Sequence, residues 1–184
     1  MKRIICLFTF ILILSNYSFG NNKLNTGVKL GSSIPLDAPK DSLQVGYGFL
    51  LTFNYQIIND FYINSFLGAY FHYPKRSSYD FTVSEYKYIY YPIAAGILYK
   101  KNIFVDKLYL NAALNIGIGT EYLIIESNKK YSSNILFCPL FGIEYEIMDN
   151  ISCNIDTSYH LLTKKDKVNY FLTFNVGGTI KINL

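Results

Sequence analysis

Asp156, Ser158 and His160 alternate with Thr157 and Tyr159, so they would share one face of an extended strand. An acid, a hydroxyl and an imidazole are the residue types of nucleophilic hydrolysis, in which the imidazole takes the hydroxyl proton. Successive same-face residues of a strand stand roughly 7 Å apart, too far for that proton to pass directly between extended neighbours. The row is therefore expected to be a set of polar groups bonded to their neighbours, with lipid hydrolysis by Ser158 and His160 as the reading it would serve otherwise. The histidines His72 and His160 have no second ligand at metal-binding spacing, so neither a metal nor a cofactor is expected.

The element that would carry this row is one of eight alternating segments. The clearest ends the chain: Leu172, Phe174, Val176, Ile180, Ile182 and Leu184 are apolar, and Thr173, Asn175, Thr179, Lys181 and Asn183 between them are polar. Alternation of this kind marks a strand with one apolar and one polar face. Similar rows begin near Leu24, Val45, Ile63, Ile89, Leu108, Ile135 and Ile151. Pro92 falls inside the fourth, where it removes a ladder donor and calls for a bulge or irregular pairing. Links at Asn59-Asp60, Lys101 to Asp106 and Met148 to Asn150 are short; those at Pro35 to Leu43, Pro74 to Ser84, Glu126 to Ser132 and Thr163 to Val168 are longer and more polar.

Which face is apolar decides the environment. The polar rows are rich in Gly, Asn, Thr and Ser with scattered charge, whereas the apolar rows of Phe, Tyr, Leu and Ile carry almost none. A soluble ligand-carrying barrel would need its apolar rows inside, and eight strands enclose a lumen that side chains can just fill. Small polar residues suit that lumen, and the apolar rows suit lipid. The expected fold is an all-β, eight-stranded, antiparallel up-and-down transmembrane β-barrel. Tyr47, Tyr55, Tyr99, Tyr145 and Tyr159 fall on outward rows, where ring and hydroxyl suit the headgroup level.

Residues 1–20 read as a secretory leader: Met1-Lys2-Arg3, an apolar run from Ile4 to Leu14, and Ser18 and Gly20 at the cleavage positions. Residues 21–184 would then form the barrel, exported to the outer membrane of a Gram-negative bacterium, with an even strand count placing both termini in the periplasm. Without Lys2 and Arg3 the formal charge falls from +4 to +2, and no nucleic-acid footprint is present. Cys138 and Cys153 are assigned to opposite faces of consecutive strands, which excludes a disulfide between them.

Inward charges need partners. Lys29, Glu144, Glu146, Asp156 and Lys181 are expected to form a linked salt-bridge cluster that plugs the lumen; the alternative is a narrow passive channel lined by the same groups. Lys75 and Arg76, Lys129 and Lys130, and Lys164, Lys165 and Lys167 are expected as basic clusters on external loops, able to meet anionic lipopolysaccharide or a surface ligand.

The terminal run Asn169 to Leu184, the internal run Leu110 to Gly119 and the Tyr91-Pro92-Ile93 of the fourth segment resemble the small outer-membrane β-barrel domain family, whose members are opacity- or porin-like. The resemblance spans the whole of 21–184. It implies insertion by the barrel-assembly machinery, which reads the last strand; that strand commonly ends in Phe, and here it ends in Leu184. It also implies a monomer held in outer-membrane lipid, non-enzymatic, structural or surface-binding through its external loops.

Overall fold

The computed structural model describes residues 23–36, 41–75, 86–103, 106–125, 128–164 and 167–183; the expected leader lies outside them, as does Arg76. Eight strands follow in order: β1 (Lys23–Leu36), β2 (Gly46–Ile58), β3 (Phe61–His72), β4 (Tyr86–Asn102), β5 (Leu108–Ile125), β6 (Asn128–Met148), β7 (Ile151–Lys164) and β8 (Lys167–Asn183). Each pairs antiparallel with its sequence neighbours, and β8 closes on β1 from Lys23–Asn183 to Leu36–Tyr170. The ends of the described chain meet on the side of the short turns. At one of these turns Asn59 takes φ 39°, a left-handed conformation that Asn tolerates and most residues do not.

The pairing fixes the tilt. Followed across the strands, the register runs from Asn25 through Asn54, Asn64, Gly96, Asn115 and Cys138, then His160 and Phe171, and returns to β1 at Pro35, ten residues further on. With strands ~4.7 Å apart and a rise of ~3.3 Å per residue, this stagger tilts the strands by about 40°. Inward and outward rows then alternate as the side-chain pattern demands: Lys29, Thr52, Asn64, Tyr90, Asn115, Glu144, Asp156 and Thr173 are buried, while Val28, Phe53, Ile63, Tyr91, Leu114, Ile143, Ile155 and Phe174 are exposed.

Pro92 takes the irregular pairing rather than the bulge: the β3–β4 ladder skips Gly68 and Ala69 and resumes in the same register. The missing donor deletes two pairs without slipping the strand. The expected loops Glu126 to Ser132 and Thr163 to Val168 are shorter than that, because β5 and β6 stay paired up to Ile125–Asn128 and β7 and β8 up to Lys164–Lys167. Lys129, Lys130, Lys164 and Lys167 are therefore strand positions rather than loop positions. There the strands stand beyond the apolar belt, neither face needs apolar residues, and the hydrophobic alternation fades although the ladder continues.

Candidate functional site

The inward rows of the strands meet inside the barrel. At its centre Lys29 of β1 donates to Asp156 of β7, and Asp156 Oδ1 also accepts from Asn175 Nδ2 at 2.9 Å. Asn175 Oδ1 accepts from the Tyr70 hydroxyl at 2.6 Å, and Asn175 Nδ2 reaches Thr173 Oγ1 at 3.3 Å. Thr173 and Ser158 hydroxyls lie 2.6 Å apart, Ser158 Oγ lies 3.0 Å from His160 Nε2, and His160 Nδ1 lies 2.8 Å from the Tyr90 hydroxyl. The result is one hydrogen-bonded chain across β1, β3, β4, β7 and β8. Gly177 makes room for it: a Cβ there would sit 2.3 Å from the Val28 carbonyl and 2.6 Å from Lys29 Cγ.

Ser158 and His160 thus meet, against the spacing argument. Same-face Cα atoms stand roughly 7 Å apart, but Ser158 Oγ and the far ring nitrogen of His160 come within 3.0 Å. The pair has nucleophile–base geometry without access: Ser158 is 3 % exposed and His160 0 %. Above them Tyr90 stacks on Phe171 (5.0 Å between centroids, 11°), and His72 lies against Tyr88 and Phe171. Leu136, Leu162 and Cys138 fill the same layer and are fully buried. His72 is 1 % exposed, its Nδ1 3.0 Å from the Gln44 carbonyl oxygen.

Toward the short turns, Glu144 accepts from Lys100 Nζ (2.8 Å), Ser152 Oγ (2.6 Å) and Asn111 Nδ2 (3.3 Å). Lys181 reaches Glu146 at 3.1 Å. A cavity of about 10 Å³ between Asn25, Glu144, Ser152, Thr179 and Lys181 has room for roughly one water. The five charges expected to form one cluster instead sort, with Lys100, into three pairs: Lys29–Asp156, Lys100–Glu144 and Lys181–Glu146. Lys100 lies one inward step past the outward Tyr99 on β4, beyond the apolar alternation that marks that strand in the sequence.

The outer surface is the complement. On β5 the outward row Leu108, Leu110, Ala112, Leu114, Ile116 and Ile118 is apolar, and at the tilt above it covers about 26 Å along the barrel axis. A lipid-facing band is about 25 Å tall. The row ends where Thr120 and Ser133 hydroxyls bond each other at 3.0 Å.

Solved structures of similar shape are outer-membrane barrels. Neisserial surface protein A superposes with a TM-score of 0.63 at 11 % identity, covering 89 % of this chain and 97 % of that one. OprG from Pseudomonas aeruginosa gives 0.63 at 9 % identity (90 % and 97 %), and the attachment invasion locus protein Ail of Yersinia pestis 0.55 at 18 % (90 % and 100 %). The chain has the small outer-membrane β-barrel fold. No protein-family model matches it, and no curated protein matches it in sequence.

Beyond the belt the described strands continue on the side opposite the chain ends. The β5–β6 hairpin runs on to Ile125 and Asn128, about 18 Å past Ile118 along the axis. At its base Glu121, 8 % exposed, accepts from Tyr88, from Asn134 Nδ2 at 2.8 Å and from Asn169 Nδ2 at 2.7 Å. These donors are neutral, and no described cation pairs with Glu121. A cleft of about 570 Å³ opens beside it, lined by Lys129, Lys130, Tyr131 and Ser132 and faced by Tyr88 and Asn169. Lys75 is exposed just past β3; the side chains of Lys164, Lys165 and Lys167 lie outside the described residues. Cys138 is buried and Cys153 exposed, both as free thiols.

Proposed function

We propose that the protein is an integral outer-membrane barrel with a closed lumen, without enzymatic activity, whose long-strand end serves a surface-binding role. The observation that carries the reading is the inversion of faces: a continuous apolar exterior over a polar, hydrogen-bonded interior. In water that exterior would drive aggregation; in lipid it is the solvent-matched surface. The layer of Tyr70, Tyr90, Leu136, Leu162 and Phe171, all 0 % exposed, supports closure, as do the ion pairs below it. Burial of the Ser158–His160 pair beneath that layer supports a structural role, since an ester could not reach it. The ends of the described chain lie together on one side, and the longest connections, 37–45 and 73–85, lie on the other, which supports a periplasmic position for the ends. Lys129 and Lys130 at the opposite rim suit contact with anionic lipopolysaccharide or a surface ligand. In one solved complex, Ail of Yersinia pestis carries a heparin analogue, sucrose octasulfate, and an anionic ligand is consistent with the basic rim here.

The test is to refold residues 21–184 in detergent and to compare boiled and unboiled samples by gel. A heat-shifted band with β-type circular dichroism is expected. A chain that remains monodisperse in water without detergent would refute the reading.

A further inference from the structure

The β6–β7 ladder stops at Ile135–Thr163, whereas β6 continues to Asn128 paired only with β5. Residues 128–134 therefore present a strand edge with no described neighbour on the β7 side. Pro139 reveals which backbone groups point out of it. Proline lacks an N–H; at Pro139 its loss deletes the pairs of Cys138 and Pro139 with β7, yet the β5 ladder runs unbroken through Leu114–Pro139. Odd-numbered residues of β6 therefore aim their N–H and C=O toward β7 and even-numbered ones toward β5, as an antiparallel ladder requires. Beyond Ile135 the odd residues are Lys129, Tyr131 and Ser133. Their backbone groups offer up to six hydrogen bonds to an incoming strand.

The cleft gives a second, independent observation. Four consecutive residues, Lys129 to Ser132, line it. Consecutive strand residues face opposite ways: Lys130 and Ser132 face inward with Leu123 and Glu121, their partners on β5, while Lys129 and Tyr131 also meet the groove, so it opens on the inner side of the strand and reaches its edge. Lys129 and Lys130 are exposed on opposite faces of the strand. Glu121, the described carboxylate in the groove, is buried and bonded to neutral donors. The groove therefore offers a guest positive charge on both sides. Lysine at an open edge also repels neutral and cationic strands; for an acidic guest it becomes a contact.

We propose that this edge binds an extended acidic segment of a partner protein by strand addition, with its backbone paired to Lys129, Tyr131 and Ser133 and its carboxylates beside Lys129 and Lys130. The proposal rests on the membrane reading, because the edge must stand clear of lipid. The probe is a fluorescein-labelled heptapeptide of alternating glutamate and valine, titrated against the barrel in phospholipid nanodiscs by fluorescence anisotropy. Binding is expected to weaken at least tenfold for Tyr131→Pro, which removes an edge donor and leaves the β5 ladder intact, and to persist for Tyr131→Phe. A peptide N-methylated at alternate residues should weaken equally against the unaltered barrel, which keeps the test decisive if the proline variant does not fold. Equal binding of the N-methylated and parent peptides, or no binding by a heat-shifted barrel, overturns the proposal. So does a sulfated oligosaccharide that displaces the peptide and binds Tyr131→Pro unchanged, since the groove would then be a saccharide site. A chain that gives no heat-shifted band refutes the membrane reading instead.

Discussion

Replacing Asp156 by Asn separates a packed lumen from a wet one. The Lys29 and Asp156 side chains are 11 % and 3 % exposed, and Asp156 also holds Asn175. Removing the carboxylate leaves the Lys29 ammonium enclosed by strands, with no second described carboxylate in contact. Breaking a buried pair in this way costs about 3–5 kcal/mol, whereas an ion pair in water contributes about 0–1 kcal/mol. Urea unfolding of the barrel in phospholipid vesicles, followed by the heat-shifted gel band, reads the difference. Asp156→Asn is expected to lose about 3–5 kcal/mol, and the double variant Lys29→Met with Asp156→Asn to recover most of it, because the stranded charge goes with it. A loss below about 1 kcal/mol would mean that solvent screens the pair, and the reasoning for a closed lumen would fail.

The outer belt makes a depth-dependent prediction: Leu114→Arg, near mid-belt, should destabilise the barrel in vesicles by about 2–4 kcal/mol, and Tyr131→Arg, beyond the belt, by about 0–1 kcal/mol. Equal costs in the same urea titration would contradict the assigned membrane position. Ser158→Ala removes the partner of a buried imidazole nitrogen and should cost about 1–3 kcal/mol. It should leave no ester-hydrolysis rate to lose; a deacylation measured with the parent chain and abolished in this variant would make the buried pair catalytic.

Strand number, order and facing were legible in the sequence because lipid and lumen impose opposite demands on neighbouring residues. Leu114 and Asn115 could exchange faces only if the whole of β5 flipped. Legibility ended where those demands lapse. Past Thr120 and Ser133 both faces leave the belt, so Lys129 and Tyr131 read as loop although they are paired strand. Within the lumen, membership was readable but partnership was not: Asp156 and Lys29 were assigned inward, yet their contact depends on a ten-residue stagger that no single segment encodes. The same stagger sets Lys100 against Glu144 and leaves Glu146 to Lys181. Ser158 and His160 show the limit of spacing arguments, since Cα separation bounds but does not fix the distance between side-chain ends.

The closed lumen is tested most directly by single-channel recording from planar bilayers containing barrel whose heat-shifted band has been verified in the same preparation. The account predicts a silent bilayer at all voltages the membrane tolerates. Sustained ionic steps that shrink when Glu144 or Lys181 is neutralised would contradict it and make the inward charges a conduction path.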